Sequence, residues 1–350
     1  NLESVDHHSD STTTWNWLVS YPINPYNVTL NVADYVHFRD TYPGMEGNLP
    51  LDYYVLRPNE SKARAHFQQV HTLMKCFETH LGPYPFYRDG YALVETPYWG
   101  MEHQSCVAYG NNYINNEWGF DFIIVHETGH EWFGNNLSIP DNAELWIHES
   151  LTTYAEAIYV ECTKGKEVAH TYMLGHRKRI ANTEALLGPL RVKFNDRKTS
   201  DIYFKGAWMW YTIRHTIRND SIWWSMLKGM RDTFRLRTVN TSTLIDYVNR
   251  QTGTNWNAFF DLYLNETKLP ILQYKIIKTD AGDLLEHRWV VPRARERFQL
   301  PIHLRIGSQE MAKTIEPSTQ WKRENWTLPD AIDPVPNACQ YLLIDCQNIN

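Results

Sequence analysis

No stretch of this 350-residue chain approaches the roughly 18 consecutive apolar residues of a membrane-spanning helix, so no such span is predicted. A surplus of positive charge is also missing. Lys and Arg total 34 against 40 Asp and Glu, the formal net charge is −6 and the sequence pI is near 6.2. Nothing in that balance suggests a nucleic-acid partner. Cysteine is scarce: five residues, none in C-x-x-C spacing, which argues against a cysteine-ligated zinc site. An odd total speaks against a complete disulfide framework. Cys339 and Cys346 are near enough in sequence to pair, and buried free thiols are otherwise the expectation. There is no internal repeat and no low-complexity tract. The chain begins at Asn1, without Met and without a charged-then-apolar leader, so the expectation is a removed leader or a fragment. N-x-S/T sequons at Asn27, Asn136 and Asn325 arise easily by chance and decide nothing about secretion.

What is present is ordinary for a globular protein: 43% hydrophobic and 21% charged residues, enough for two or three domains. Fourteen Trp and twenty-one Tyr point to aromatic cores. Residues 1–56 read as strands, with Thr12–Trp17 and Val28–Val32 between Pro and Asn breaks, like the end of a β domain. Helical spacing dominates 57–266. It predicts helices over Ser61–Leu81, Ala143–Cys162, Lys166–Leu187, Ile202–Ile217 and Thr241–Gln251, and a last one carrying Trp256, Phe259, Phe260 and Tyr263. A strand is predicted at Tyr91–Glu95. From 267 to 350 the pattern turns to short strands, at Ile271–Lys278, Leu284–Val291, Phe298–Ile306 and Tyr341–Ile344, which suggests a small β-sandwich.

The most informative stretch is His126-Glu127-Thr128-Gly129-His130, which reads H-E-x-x-H. Residues four apart share a helix face, so the two imidazoles can reach one metal ion. Phe122 to Val125 lead into this helix, Trp132 and Phe133 continue it, and Gly134-Asn135-Asn136 offers a stop. Nineteen residues after His130, in the first turns of the next predicted helix, comes Glu149. Two histidines and a carboxylate with an open fourth position form the pattern of catalytic zinc. Glu127 then stands where a general base for a water is needed. Thr153, Glu156, His103 and His148 are candidates for orienting roles around such a site.

Two further segments accompany this motif: Trp99-Gly100-Met101-Glu102-His103 and Tyr203-Phe204-Lys205-Gly206. Together the three resemble the gluzincin aminopeptidases of the aminopeptidase N type, over nearly the whole chain. The resemblance implies a multi-domain chain: the C-terminal part of an N-terminal β domain (1–56), a thermolysin-like, mostly α-helical (α+β) catalytic domain (57–266), and a small β-sandwich (267–350). It implies one zinc ion per chain held by His126, His130 and Glu149, with Glu127 as general base. Tyr203 would donate to the oxyanion, Glu102 would pair with the substrate's free α-amine, and the backbone of Gly100 and Met101 would line the peptide. Partners would be peptides with a free N-terminal amine. The chain departs from the usual pattern at His103, where Asn is common, at Glu131, where Gln is common, and at Ser150, where Gly follows the third ligand. These variations resemble a bacterial branch and bear on the shape of the S1 pocket. A thermolysin-like endopeptidase and a catalytically silent peptidase-like binding module are the rival readings. Oligomeric state is open, and a periplasmic or extracellular location is favoured over a cytoplasmic one.

Overall fold

The computed structural model describes residues 2–279, 283–306, 311–328 and 335–350; of the sequons, the side chain of Asn325 lies outside this description. The chain forms two compact units, residues 1–138, 155–169 and 227–239 in one and the remainder in the other. Helices and sheets occur in both.

The first unit opens with an antiparallel hairpin, β1 (Leu2–His7) and β2 (Thr13–Trp17). Its main sheet has five strands: β3 (Tyr35–Gly44), β4 (Gly47–Leu56), β5 (Tyr91–Glu95), β6 (Gly100–Met101) and β7 (Cys106–Tyr109), in the order β3-β4-β5-β7-β6. Leu49, Leu51, Tyr53 and Val55 of β4 alternate into the core, as a period of two requires. The parallel central strand β5 is buried on both faces from Tyr91 to Val94. Against this sheet lie α1 (Glu60–His66), α2 (Gln69–Leu81) and α3 (Phe122–Gly129), while β8 (Leu137–Ser138) and β9 (Arg237–Thr238) pair in parallel.

Two sequence expectations fail here. Val28–Val32 joins no ladder; Leu30 and Val32 are 91% and 92% exposed, so the alternation had no face to bury. The helix expected over Ser61–Leu81 breaks at Phe67-Gln68. The Gln69 side chain donates to the His66 carbonyl and accepts from the backbone N–H of Asp121, so one local and one long-range side-chain hydrogen bond hold the break.

Helices α4 (Trp146–Lys164), α5 (Lys166–Arg177) and α7 (Asp220–Thr233) contribute to both units, and α6 (Asp201–Ile217), α8 (Thr241–Thr252) and α9 (Asn257–Asn265) to the second. Helix α6 is buried almost all round, with Trp208 and Trp210 fully enclosed. Helix α5 stops at Arg177 rather than continuing to Leu187. The Arg177 guanidinium donates to the carbonyls of Cys339, Leu342 and Ile344, and the N–H groups of Ala181 and Asn182 turn to the Asp201 carboxylate.

The second unit also holds a four-stranded sheet, order β14-β11-β10-β15, of β10 (Ile271–Ile277), β11 (Asp283–Val290), β14 (Lys322–Leu328) and β15 (Asp345–Asn348). A separate pair is formed by β12 (Ile302–Ile306) and β13 (Met311–Ile315), and a short helix, α10 (Val335–Cys339), precedes β15. The strand expected at Tyr341–Ile344 is displaced to β15, where Asp345 enters a parallel register with Ile271.

The free-thiol expectation is corrected for Cys76 and Cys162, while Cys339 and Cys346 pair as their spacing allowed. Cys76 bonds Cys162 within the first unit and Cys339 bonds Cys346 within the second, which leaves Cys106 as the free thiol. Among the described residues, no helix is long and apolar enough to cross a membrane.

Candidate active site

Helix α3 starts at a fixed point. The fully buried Asp121 carboxylate caps it, accepting from the Ile123 N–H at 3.0 Å, and also accepts from His66, Tyr109 and Asn111. Ile123, Ile124 and Val125 are buried in turn, and the next turn presents His126, Glu127 and His130, exposed by 6%, 7% and 1%.

The two imidazoles meet through their Nε2 atoms at 3.3 Å. His130 Nδ1 donates to the Phe133 carbonyl at 3.1 Å, and His126 Nδ1 faces the Glu156 carboxylate at 2.7 Å. Each Nδ1 therefore carries the proton, and each Nε2 directs a lone pair at the same point. Two ligands of a tetrahedral zinc with bonds of about 2.0–2.1 Å lie about 3.3 Å apart, so the pair fits a zinc ion. The Glu156 carboxylate orients the His126 ring and fixes its tautomer.

Helix α3 gives way to a π-type turn over Glu131–Asn135. Its geometry belongs to His130. Phe133 leaves helical backbone (φ −123°, ψ 72°), which aims its carbonyl at the imidazole, and Gly134 follows at φ +158°. A Cβ on Gly134 would sit 3.1 Å from His130 Nδ1. Glu131 is fully buried, and desolvation raises its carboxyl to about 8, against the lowering effect of hydrogen bonds from Ser105 N–H, Tyr84 and Asn135. It ties the end of the helix to the loop that follows Glu102.

That loop brings a second carboxylate. Glu102, Glu127 and His130 offer ligand or hydrogen-bonding atoms within 4.8 Å of one another. Strand β6 lies directly over α3: a Cβ on Gly100 would come within 2.7 Å of Ile123 Cγ2 and 2.9 Å of Glu127 Oε1. Asn135 donates to the Glu102 carbonyl at 2.8 Å, and Asn27 donates to the Asn135 side chain at 2.7 Å. The Tyr26 hydroxyl donates to Glu102 Oε1 at 3.3 Å. Sequence reasoning missed Tyr26, Asn27 and Asn135, since nothing in their local pattern marks them. His103 is buried, and desolvation lowers its pKa, so it stands as a neutral imidazole beside Glu102.

Helix α4 carries Glu149 seven residues before Glu156, two turns earlier on the same face. Glu149 is itself buried, 7% exposed. Next to Glu149, Ser150 Oγ accepts from the Trp210 indole at 2.8 Å. A Cβ on Gly206 would lie 2.4 Å from that of Ser150, so α6 and α4 meet at a glycine. Tyr203, three residues before Gly206 in the first turn of α6, is half-buried. Arg197 donates to the carbonyls of Ala143 and Leu186; desolvation lowers its pKa, against the raising effect of the Glu184 and Glu149 carboxylates. Lys205 is buried; its ammonium donates to the Glu266 carbonyl, and desolvation pushes its pKa down to about 8.

A model of the "Peptidase family M1 domain" matches residues 66–263, more than half the chain. The chain belongs to the M1 peptidase family. Human aminopeptidase B is 24% identical over 168 residues, 43% of this chain and 25% of that protein. Aminopeptidase N of Lactobacillus helveticus is 19% identical over 241 residues, 64% of this chain and 26% of that protein. The chain therefore spans about a quarter of the length of these M1 relatives. Among solved structures, aminopeptidase A of Legionella pneumophila in complex with aspartic acid matches with a TM-score of 0.81 at 16% identity, over 100% of this chain and 42% of that one. An M1 zinc metallopeptidase from Deinococcus radiodurans matches with a TM-score of 0.64 at 19% identity, over 77% and 60%. At these identities the likeness is one of fold.

Proposed function

We propose that this chain is a zinc-dependent aminopeptidase that removes N-terminal residues from peptides. The observation that carries the reading is a pair of imidazole Nε2 atoms 3.3 Å apart beside two carboxylates, Glu127 and Glu102. His126, His130 and Glu149 would hold one zinc ion per chain. Bound there, zinc would supply Lewis acidity toward a water and the scissile carbonyl.

The chain's own residues do the rest. Glu127, one residue after a ligand and under Gly100, takes a proton from the attacking water and returns it to the leaving amine. Glu102 pairs with the cationic α-amine, which sets the register so that the first peptide bond meets the metal. Tyr203 donates its hydroxyl proton to the oxyanion. Strand β6 lies at the edge of its sheet, so the backbone of Gly100 and Met101 has an outer side on which an extended peptide can add. Membership of the M1 family supports these roles, as do relatives named aminopeptidase B and aminopeptidase N.

The same reading takes residues 1–56 as the end of a β domain, 57–266 as a thermolysin-like catalytic body and 267–350 as a β-sandwich. Two disulfides favour an oxidising compartment, periplasmic or extracellular.

Glu102→Ala distinguishes this function from an endopeptidase. Removing the carboxylate should cut kcat/KM on free-amine substrates by about 100-fold, the loss of a charge-assisted contact of about 3 kcal/mol. Residual activity on N-acetylated peptides should not change. An equal loss on both substrate types contradicts the aminopeptidase reading.

A further inference from the structure

The first unit holds another set of potential ligands, which the peptidase chemistry does not use. Helix α2 presents Cys76 and His80 one turn apart on one face. The last turn of α4 brings Cys162 beside them. Two sulfurs and an imidazole nitrogen lie within 4.8 Å of one another. Cys76 is buried, His80 half-buried and Cys162 exposed, so the group opens to solvent on the Cys162 side. The two sulfurs are joined as a disulfide.

We propose that Cys76, His80 and Cys162 are a redox-gated site for a thiophilic divalent cation such as Zn2+ or Cd2+, closed as the disulfide and open once reduced. Two thiolates and one imidazole make a borderline-soft donor set, which selects such ions over Mg2+ or Ca2+. Zinc bonds of about 2.3 Å to sulfur and 2.0–2.1 Å to nitrogen put the donors of a tetrahedral site roughly 3.6–3.8 Å apart. That spacing is inside the 4.8 Å envelope of the group, and rotation of the exposed Cys162 side chain opens it. A fourth position stays available to water.

The chemistry balances with an external dithiol as reductant. Two electrons and two protons from the dithiol break the S–S bond and yield two thiols, while the dithiol closes to its own disulfide. The cation then displaces both thiol protons and takes the neutral His80 nitrogen as third ligand. Metal binding favours the reduced form, so it makes this disulfide easier to reduce. Cys106 does not compete, because burial pushes its thiol up to about 12.

The test uses the full chain, oxidised and after anaerobic treatment with a dithiol that is then removed. Cd2+ is titrated while the thiolate-to-cadmium charge-transfer absorption is read. A Cys339→Ser/Cys346→Ser background removes the other disulfide's thiols. The peptidase group has no thiolate and gives no such band, so the result stands apart from whether the chain hydrolyses peptides. The reduced protein should show a band that saturates at one Cd2+ per chain, and the oxidised protein none. Cys76→Ser and Cys162→Ser should each abolish it, and His80→Ala should weaken Cd2+ binding at least ten-fold. Should the background fold poorly, the difference between the reduced wild-type chain and Cys76→Ser reads the same quantity. A reduced protein without the band, a band that survives Cys76→Ser, or unchanged affinity in His80→Ala would overturn the proposal.

Discussion

His126 and His130 can act as ligands because their other ring nitrogens are already committed. His130 is held by a backbone carbonyl, which substitution does not remove; His126 depends on the side chain of Glu156. Glu156→Ala should therefore lower zinc affinity by about 10–100-fold, read by competition with a chromophoric chelator. Unchanged affinity would show that Glu156 does not orient the ligand. Tyr203 belongs to the transition state in the proposed mechanism, so Tyr203→Phe should lower kcat by about 100-fold or more with KM changed little. A change confined to KM would remove that role.

Lys205 offers a prediction about pH. Its folded pKa, about 8, lies below the ordinary 10.5, so between these values the unfolded chain binds more protons than the folded one. Stability from this group therefore rises with pH across that window and is lowest below it. Relative to Lys205→Met, which lacks the titration, the wild type should gain about 1–3 kcal/mol between pH 8 and 10.5 in denaturant unfolding. A flat difference would mean that Lys205 titrates normally.

Elements differ in how openly they stood in the sequence. Helix α3 was legible because H-E-x-x-H constrains a face, and Glu149 lay close to the predicted start of α4. The end of α3 was not: the π-type turn exists to aim the Phe133 carbonyl at His130, and Gly134 looks in sequence like any helix stop. The end of α5 was hidden for another reason. Arg177 takes its carbonyl partners more than 160 residues away, and no local pattern reports such a contact. Val28–Val32 shows the converse, an alternation with no surface to pack on. Where α4 and α6 cross, Ser150 and Gly206 are a matched pair. Gly206→Ala places a methyl 2.4 Å from Ser150 Cβ, and the helices must part. A loss of about 1–3 kcal/mol is expected in chemical denaturation; a variant as stable as wild type would mean that this crossing is looser than its geometry implies.

Across the whole molecule, the cysteines were the least readable feature. Cys76 and Cys162 are 86 residues apart, and only the packing of α2 against α4 explains their pairing. The proposed zinc set, by contrast, can be put forward from the sequence, because metal chemistry restricts which residues can serve and at what spacing. The account rests on that set acting with Glu102 to cut the first peptide bond. The most direct measurement is the rate of chromophore release from an aminoacyl p-nitroanilide and from its N-acetylated counterpart, with and without a zinc chelator. Release from the free-amine substrate should be at least about 100-fold faster, lost on chelation and restored by Zn2+. Equal rates on both substrates, or release that survives chelation, would contradict it.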